Sequence, residues 1–144
     1  NEVFAIVERN SSRFEYKVQL SMVELYRNNF IDLLCPKEKK ELKVRNLPTG
    51  EVILEGLSEQ DVFSPADVQK LVRAGVRERH SRDTSMNLQS SRSHVMFIMK
   101  VHSVSRQTRV RHMGKLLFID LAGSERVKRS EVTGDGLREG IEIN

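Results

Sequence analysis

Apolar and polar residues alternate with period two from Phe14 to Met22, which predicts a strand with one buried face. Ahead of it, Glu2–Val7 reads as the tail of a helix and Asn10-Ser11-Ser12 as a turn. Ile31-Asp32-Leu33-Leu34 is a short apolar patch, followed by Pro36 and a lysine-rich stretch. Leu42–Arg45 and Glu51–Leu54 flank Asn46-Leu47-Pro48-Thr49-Gly50, the pattern of a hairpin with a five-residue loop. Ser64 to His80 predicts the best-defined helix. Ser64 suits the N-cap, Pro65 the first helical position, and Asp67 a capping box. Phe63 and Val68 are spaced as a hydrophobic staple. Val68, Leu71, Val72 and Val76 make one apolar stripe, read as core, and Arg77, Arg79 and His80 place positive charge in the last turn. A polar segment rich in Ser, Thr, Asn and Arg follows over Ser81–Ser93. Val95–Val101 and Lys115–Ile119 are two further apolar strands, and their short basic link Arg106–His112 predicts an antiparallel pair with a charged tip at Arg106, Arg109 and Arg111. Arg126–Gly136 reads as a polar loop and Leu137–Asn144 as the first turns of another helix, where Gly140 costs roughly 1 kcal/mol relative to Ala. No repeat, low-complexity segment or internal domain boundary interrupts the chain.

Composition narrows the picture only slightly. The 144 residues could bury a core of their own, and the net charge of +4 favours an acidic partner surface without choosing between nucleic acid and protein. No recognition motif for nucleic acid accompanies that charge, and its basic residues are not interleaved with aromatics, so nucleic acid is not expected as a partner. No apolar run is long enough to span a bilayer and no secretory signal opens the chain, so no membrane is expected. The single cysteine, Cys35, excludes an internal disulfide, fits a reducing cytosol and reads as a small buried apolar residue. His80, His94, His102 and His112 are too scattered for a zinc site. The first residue is Asn1 rather than Met, and the chain stops inside an apparent helix, so both ends read as cuts.

The chemistry lies in two segments. Leu116-Leu117-Phe118-Ile119 runs directly into Asp120-Leu121-Ala122-Gly123-Ser124-Glu125, a buried strand ending in a polar loop. An Asp at such a strand end can hold a water on Mg²⁺ beside a nucleotide phosphate, and a Gly lets a backbone N–H approach a phosphate oxygen. Alone, that hexapeptide reads equally as a strand end with an Asx-type turn. About thirty residues upstream stands Asn87-Leu88-Gln89-Ser90-Ser91-Arg92-Ser93-His94. Its serines offer hydroxyls to a metal or phosphate, and Arg92 offers a planar cation able to pair with a carboxylate such as Glu125.

Together the two segments resemble the switch I (N-x-x-S-S-R-S-H) and switch II (D-L-A-G-S-E) motifs of the kinesin motor family, in the family's order. The resemblance implies an α/β fold, part of a P-loop NTPase-type motor domain with a central mixed β-sheet flanked by helices. Residues 1–144 would be the central portion of that domain, less than half of it. It further implies a microtubule-dependent motor ATPase with ATP and Mg²⁺ at the site, in the cytoplasm on the microtubule cytoskeleton. Arg92 and Glu125 would form the salt bridge that closes the site, with Glu125 helping to activate the attacking water. Ser90 and Ser91 would contact the γ-phosphate and metal shell, Ser91 as a Mg²⁺ ligand. Asp120 would hold a water on Mg²⁺, and Gly123 would offer its N–H to the γ-phosphate. Asn87 and His94 belong to the pattern, with His94 equally able to be a hydrogen-bonded structural residue. Arg126, Lys128 and Arg129 would face the acidic microtubule, and Lys37, Lys39, Lys40, Lys43 and Arg45 lie near a region that approaches tubulin in the family. Arg79-His80 and the wording of Arg126–Arg129 look more like the minus-end-directed group whose motor is C-terminal. Dimerisation would rest on regions outside this chain.

The chain departs from the family in lacking the phosphate-binding loop G-x-x-x-x-G-K-[ST]: its Gly-Lys pair, Gly114-Lys115, is followed by Leu116, with Arg109 where the first Gly should stand. The microtubule-binding helix is cut at Asn144. The expectation is a segment that does not hydrolyse ATP efficiently alone, that lacks strands between its own in the sheet, and that exposes apolar edges. The alternative is a kinesin-like module that has lost catalysis and binds microtubules or another acidic partner.

Overall fold

The alternation from Phe14 onward folds as β1 (Phe14–Tyr26), the strand around which the rest is organised. The structure, a computed structural model, describes residues 2–35, 41–82 and 92–123. Readings that fall on 36–40, 83–91 and 124–144, including Ser90, Ser91, Glu125, Arg126, Lys128, Arg129 and the helix expected from Leu137, lie outside the described residues.

Along β1, Val18, Leu20 and Met22 are buried on one face. A sharp turn with positive φ at Arg27 and Asn28 returns the chain as β2 (Asn29–Asp32), antiparallel to β1 with Tyr26 opposite Asn29. Asp32 then organises the next turn: its carboxylate accepts from the N–H groups of Leu34, Cys35 and Ser58. Cys35 is half-buried rather than buried, its Sγ 3.8 Å from the side-chain amide of Gln60. The expected hairpin is present one residue later than its pattern suggested, as β3 (Lys43–Asn46) and β4 (Val52–Glu55), with Gly50 at positive φ in the loop. A two-residue strand, β5 (Gln60–Asp61), adds to β1 opposite Gln19 and Leu20.

Two long strands complete the sheet, β6 (His94–Ser105) and β7 (Arg111–Asp120). The order is β2-β1-β6-β7, and every pair among the described strands is antiparallel, as the short 106–110 link required for β6 and β7. Because β1, β6 and β7 are immediate neighbours, no strand is missing between them, contrary to the expectation of gaps. The expected exposed apolar edge is present at β7, but it is the run read as a buried strand that forms it: Leu116, Leu117, Phe118 and Ile119 are all exposed, because no further strand or helix covers β7 among the described residues. The charged tip is anchored as well as charged: Arg106 donates to the Ser11 carbonyl and pairs with Glu15 at 3.0 Å.

Two helices cover one face of the sheet. Val3, Phe4 and Val7 of α1 (Glu2–Asn10) and Val68, Leu71 and Val72 of α2 (Pro65–Arg82) pack on Val18, Leu20, Val62 and Met99. The Asp67 N–H donates to Ser64 Oγ, the reciprocal bond joins Ser64 Oγ to the Asp67 carboxylate, and that carboxylate also accepts the Phe63 N–H. These donors hold the Asp67 carboxyl below its ordinary range, the Ser64 hydroxyl contributing most. The staple does not form: Phe63 is 84% exposed, its backbone committed to the cap while its ring stays in solvent. Val76, read as part of the core stripe, is exposed, and Gly75 beside it is the close-approach point: a Cβ there would stand 2.4 Å from Met22 Sδ.

Candidate functional site

Antiparallel pairing of β6 and β7 decides where the two motifs meet. β6 begins at His94, at the end of the first motif, and β7 ends at Asp120, at the start of the second. The register sets Val95 opposite Asp120 and Leu25 opposite His94, so both motif boundaries lie at one end of the sheet. They are fastened there directly. The backbone N–H of Ala122 donates to His94 Nδ1 at 3.0 Å, one residue before Gly123. His94 is thus a hydrogen-bonded structural residue that joins one motif to the other.

A second fastening is made by residues outside both motifs. Glu24, Val95 and Asp120 form one row across β1, β6 and β7, on the face that α2 covers. Arg79, from the last turn of α2, reaches both acidic ends of that row: Nε lies 3.4 Å from Glu24 Oε1, and Nη1 lies 3.4 Å from Asp120 Oδ2. Its Nη2 also donates to the carbonyl and hydroxyl oxygens of Ser93, at 3.3 and 3.2 Å. The Ser93 hydroxyl in turn donates to Glu24 Oε1 at 2.5 Å. The two carboxylates differ sharply in environment, with the Glu24 side chain 1% exposed and that of Asp120 75% exposed. A charge buried as deeply as Glu24 needs a partner, and Oε1 has both the Arg79 ion pair and the Ser93 hydroxyl, while Oε2 has no hydrogen-bond partner among the described residues.

Of the residues expected at the site, the structure therefore describes Arg92, Asp120 and Gly123. Arg92 immediately precedes the buried Ser93, Asp120 ends β7 with its carboxylate open to solvent, and Gly123 follows the anchored Ala122. Glu24 and Arg79 were not anticipated as site residues. Glu24 nonetheless carried a signal, since the alternation Val18, Leu20, Met22 places it on the buried face. A solvent-facing carboxylate at a strand end, engaged by Arg79 through Oδ2 alone, still offers an oxygen to a hard cation that keeps most of its waters and takes one carboxylate plus phosphate oxygens. Among the described residues no cluster of three or more His, Cys, Asp or Glu could hold a metal by itself.

A cleft of ≈ 530 Å³ lies on the other face of the sheet, under the β3–β4 hairpin, lined by Val23, Phe30, Leu54, Met96, Ile98 and Leu117 among others. No motif residue lines it. Among the described residues no helix is long and apolar enough to cross a membrane.

The family profile of the kinesin motor domain matches residues 1–144. This chain belongs to the kinesin motor domain family. It is 38% identical over 145 residues to the kinesin-like protein KIN-14E of Arabidopsis thaliana, covering 99% of the chain and 12% of that protein. It is 35% identical over 144 residues to the human chromosome-associated kinesin KIF4B, with the same coverage of 99% and 12%. Among solved structures, a fast kinesin superposes with a TM-score of 0.87 at 32% identity, over 99% of this chain and 40% of that one. The C-terminal motor and motor homology domain of Kar3Vik1 superposes with a TM-score of 0.82 at 28% identity, over 99% and 36%. The fold is thus the α/β fold of kinesin motors, and the chain spans about an eighth of the curated relatives and two fifths of the fast kinesin.

Proposed function

We propose that this chain is the nucleotide-sensing central portion of a microtubule-dependent motor ATPase. The observation that carries the reading is the joining of the two motifs at one sheet end, through Ala122 N–H to His94 and through Arg79 to Ser93 and Asp120. Residues that must respond together to the loss of a phosphate need such a mechanical link.

In this reading Asp120, through a water, and the Ser91 hydroxyl would hold Mg²⁺. Mg²⁺ supplies charge neutralisation at the phosphates. The Gly123 N–H and the Ser90 hydroxyl bind the γ-phosphate, fixing its orientation. Arg92 and Glu125 pair across the motifs to close the site against bulk water, and Glu125 orients the attacking water. Loss of the γ-phosphate removes the partner of Gly123, and the loop through Arg126, Lys128 and Arg129 carries the change to the microtubule. Attraction between that basic loop and an acidic partner surface makes binding salt-sensitive. Since no phosphate-binding loop is present in residues 1–144, the isolated segment should hydrolyse ATP poorly. In the complete protein, ATP hydrolysis should rise on adding microtubules. No ATP hydrolysis with or without microtubules, and binding to them unaffected by nucleotide, would instead favour a catalytically inactive module.

A further inference from the structure

The Glu24–Arg79–Asp120 row contains more charge than a structural clasp needs. One guanidinium faces two carboxylates on the same sheet face, separated by two strand spacings, roughly 10 Å. Were Glu24 uncharged, Asp120 would be the charged carboxylate of this row that remains beside the Arg79 cation. A carboxylate held fully by a guanidinium is a poorer acceptor for a metal-bound water, because its lone pairs and its charge are already engaged. The arrangement divides the cation unequally. Glu24 is buried, where attraction is screened least, and it is further tied to Arg79 through the Ser93 hydroxyl. Asp120 is exposed, where the same contact is weak. Arg79 donates to Asp120 through Oδ2 at 3.4 Å, a contact that orients the carboxylate while its 75% exposed side chain keeps the other oxygen toward solvent.

We propose that Glu24 is a positioning residue of the nucleotide site: as the buried counter-charge of Arg79, it keeps Asp120 free to hold the water on Mg²⁺. The proposal rests on the reading of Asp120 given above. Glu24 touches neither metal nor nucleotide and acts through Arg79.

The test is the Mg²⁺ dependence of nucleotide binding, followed in the complete protein by the fluorescence of a labelled ATP analogue titrated with Mg²⁺, without reference to turnover. Asp120→Asn tests the underlying reading and should raise the Mg²⁺ concentration at half-saturation about tenfold or more. Glu24→Gln keeps the shape and an acceptor for Ser93 but removes the charge, and should raise that midpoint about tenfold. Glu24→Gln with Arg79→Gln removes the Arg79 charge too, and should bring the midpoint back to within about threefold of wild type. A merely structural role for Glu24 would leave the double variant no better than the single one. If Asp120→Asn shifts the midpoint and Glu24→Gln does not, the inference is overturned while the reading of Asp120 stands. If Asp120→Asn shifts nothing, that reading fails and the inference falls with it. Thermal melts accompany each variant. Should Glu24→Gln not fold, the double variant decides: a near-wild-type midpoint supports the proposal, and a tenfold rise overturns it.

Discussion

Single atoms, rather than whole side chains, set the geometry of this site. His94 matters through the lone pair on Nδ1, which accepts the Ala122 N–H at 3.0 Å. His94→Ala leaves that N–H without its acceptor and loosens the backbone before Gly123. We expect it to cost about 1–2 kcal/mol in denaturant unfolding. Because Gly123 is the proposed γ-phosphate contact, it should also weaken ATP more than ADP; equal weakening of both would disconnect this bond from the γ-phosphate. Asp67 provides a separate check on how well the cap is understood. Its carboxyl is held below the ordinary value of 3.8, mainly by the Ser64 hydroxyl and then by the Phe63 N–H. A depressed native pKa stabilises above the unfolded value, and that contribution fades as pH falls through the native value. Wild type should therefore exceed Asp67→Asn in melting temperature near neutral pH, and the gap should close as pH drops below about 3.8. A gap that stays constant with pH would assign the effect to shape rather than charge.

Elements were legible in the sequence wherever a local pattern dictates them. The alternation along β1, the cap at Ser64 and the short basic link between β6 and β7 each specify their structure within a few residues. The antiparallel register then follows, and with it the meeting of the two motifs. What escaped was long-range. Arg79 in the last turn of α2 looked like a charge placed to suit the helix dipole, and only the docking of α2 on β1 turns it toward Glu24 and Asp120. The apolar stripe named Val76, yet Gly75 makes the close approach, because a helix can come that near Met22 only where a side chain is absent. Gly75→Ala gains about 1 kcal/mol in helix propensity but overpacks Met22, which typically costs about 1–3 kcal/mol. We expect a net loss of about 1 kcal/mol in denaturant melts, and a more stable variant would show that α2 can move away from β1.

At the scale of the whole molecule, the chain belongs to the kinesin motor domain family, spans two fifths of the fast kinesin, and has a sheet that ends, among the described residues, on the exposed apolar strand β7. Such an edge is a template for further pairing, so the segment alone should aggregate more readily than the complete protein. What the sequence conveyed at this scale came from the two motifs, and the geometry adds that their described ends, His94 and Asp120–Gly123, meet at one end of the sheet. The claim that they form a single γ-phosphate-sensing site is tested most directly by ATP hydrolysis in the complete protein, with and without microtubules, for wild type and Arg92→Ala. The account predicts microtubule-stimulated hydrolysis in wild type and a loss of about 100-fold or more in Arg92→Ala, with the fold intact by thermal melt. Hydrolysis by Arg92→Ala at the wild-type rate would contradict it.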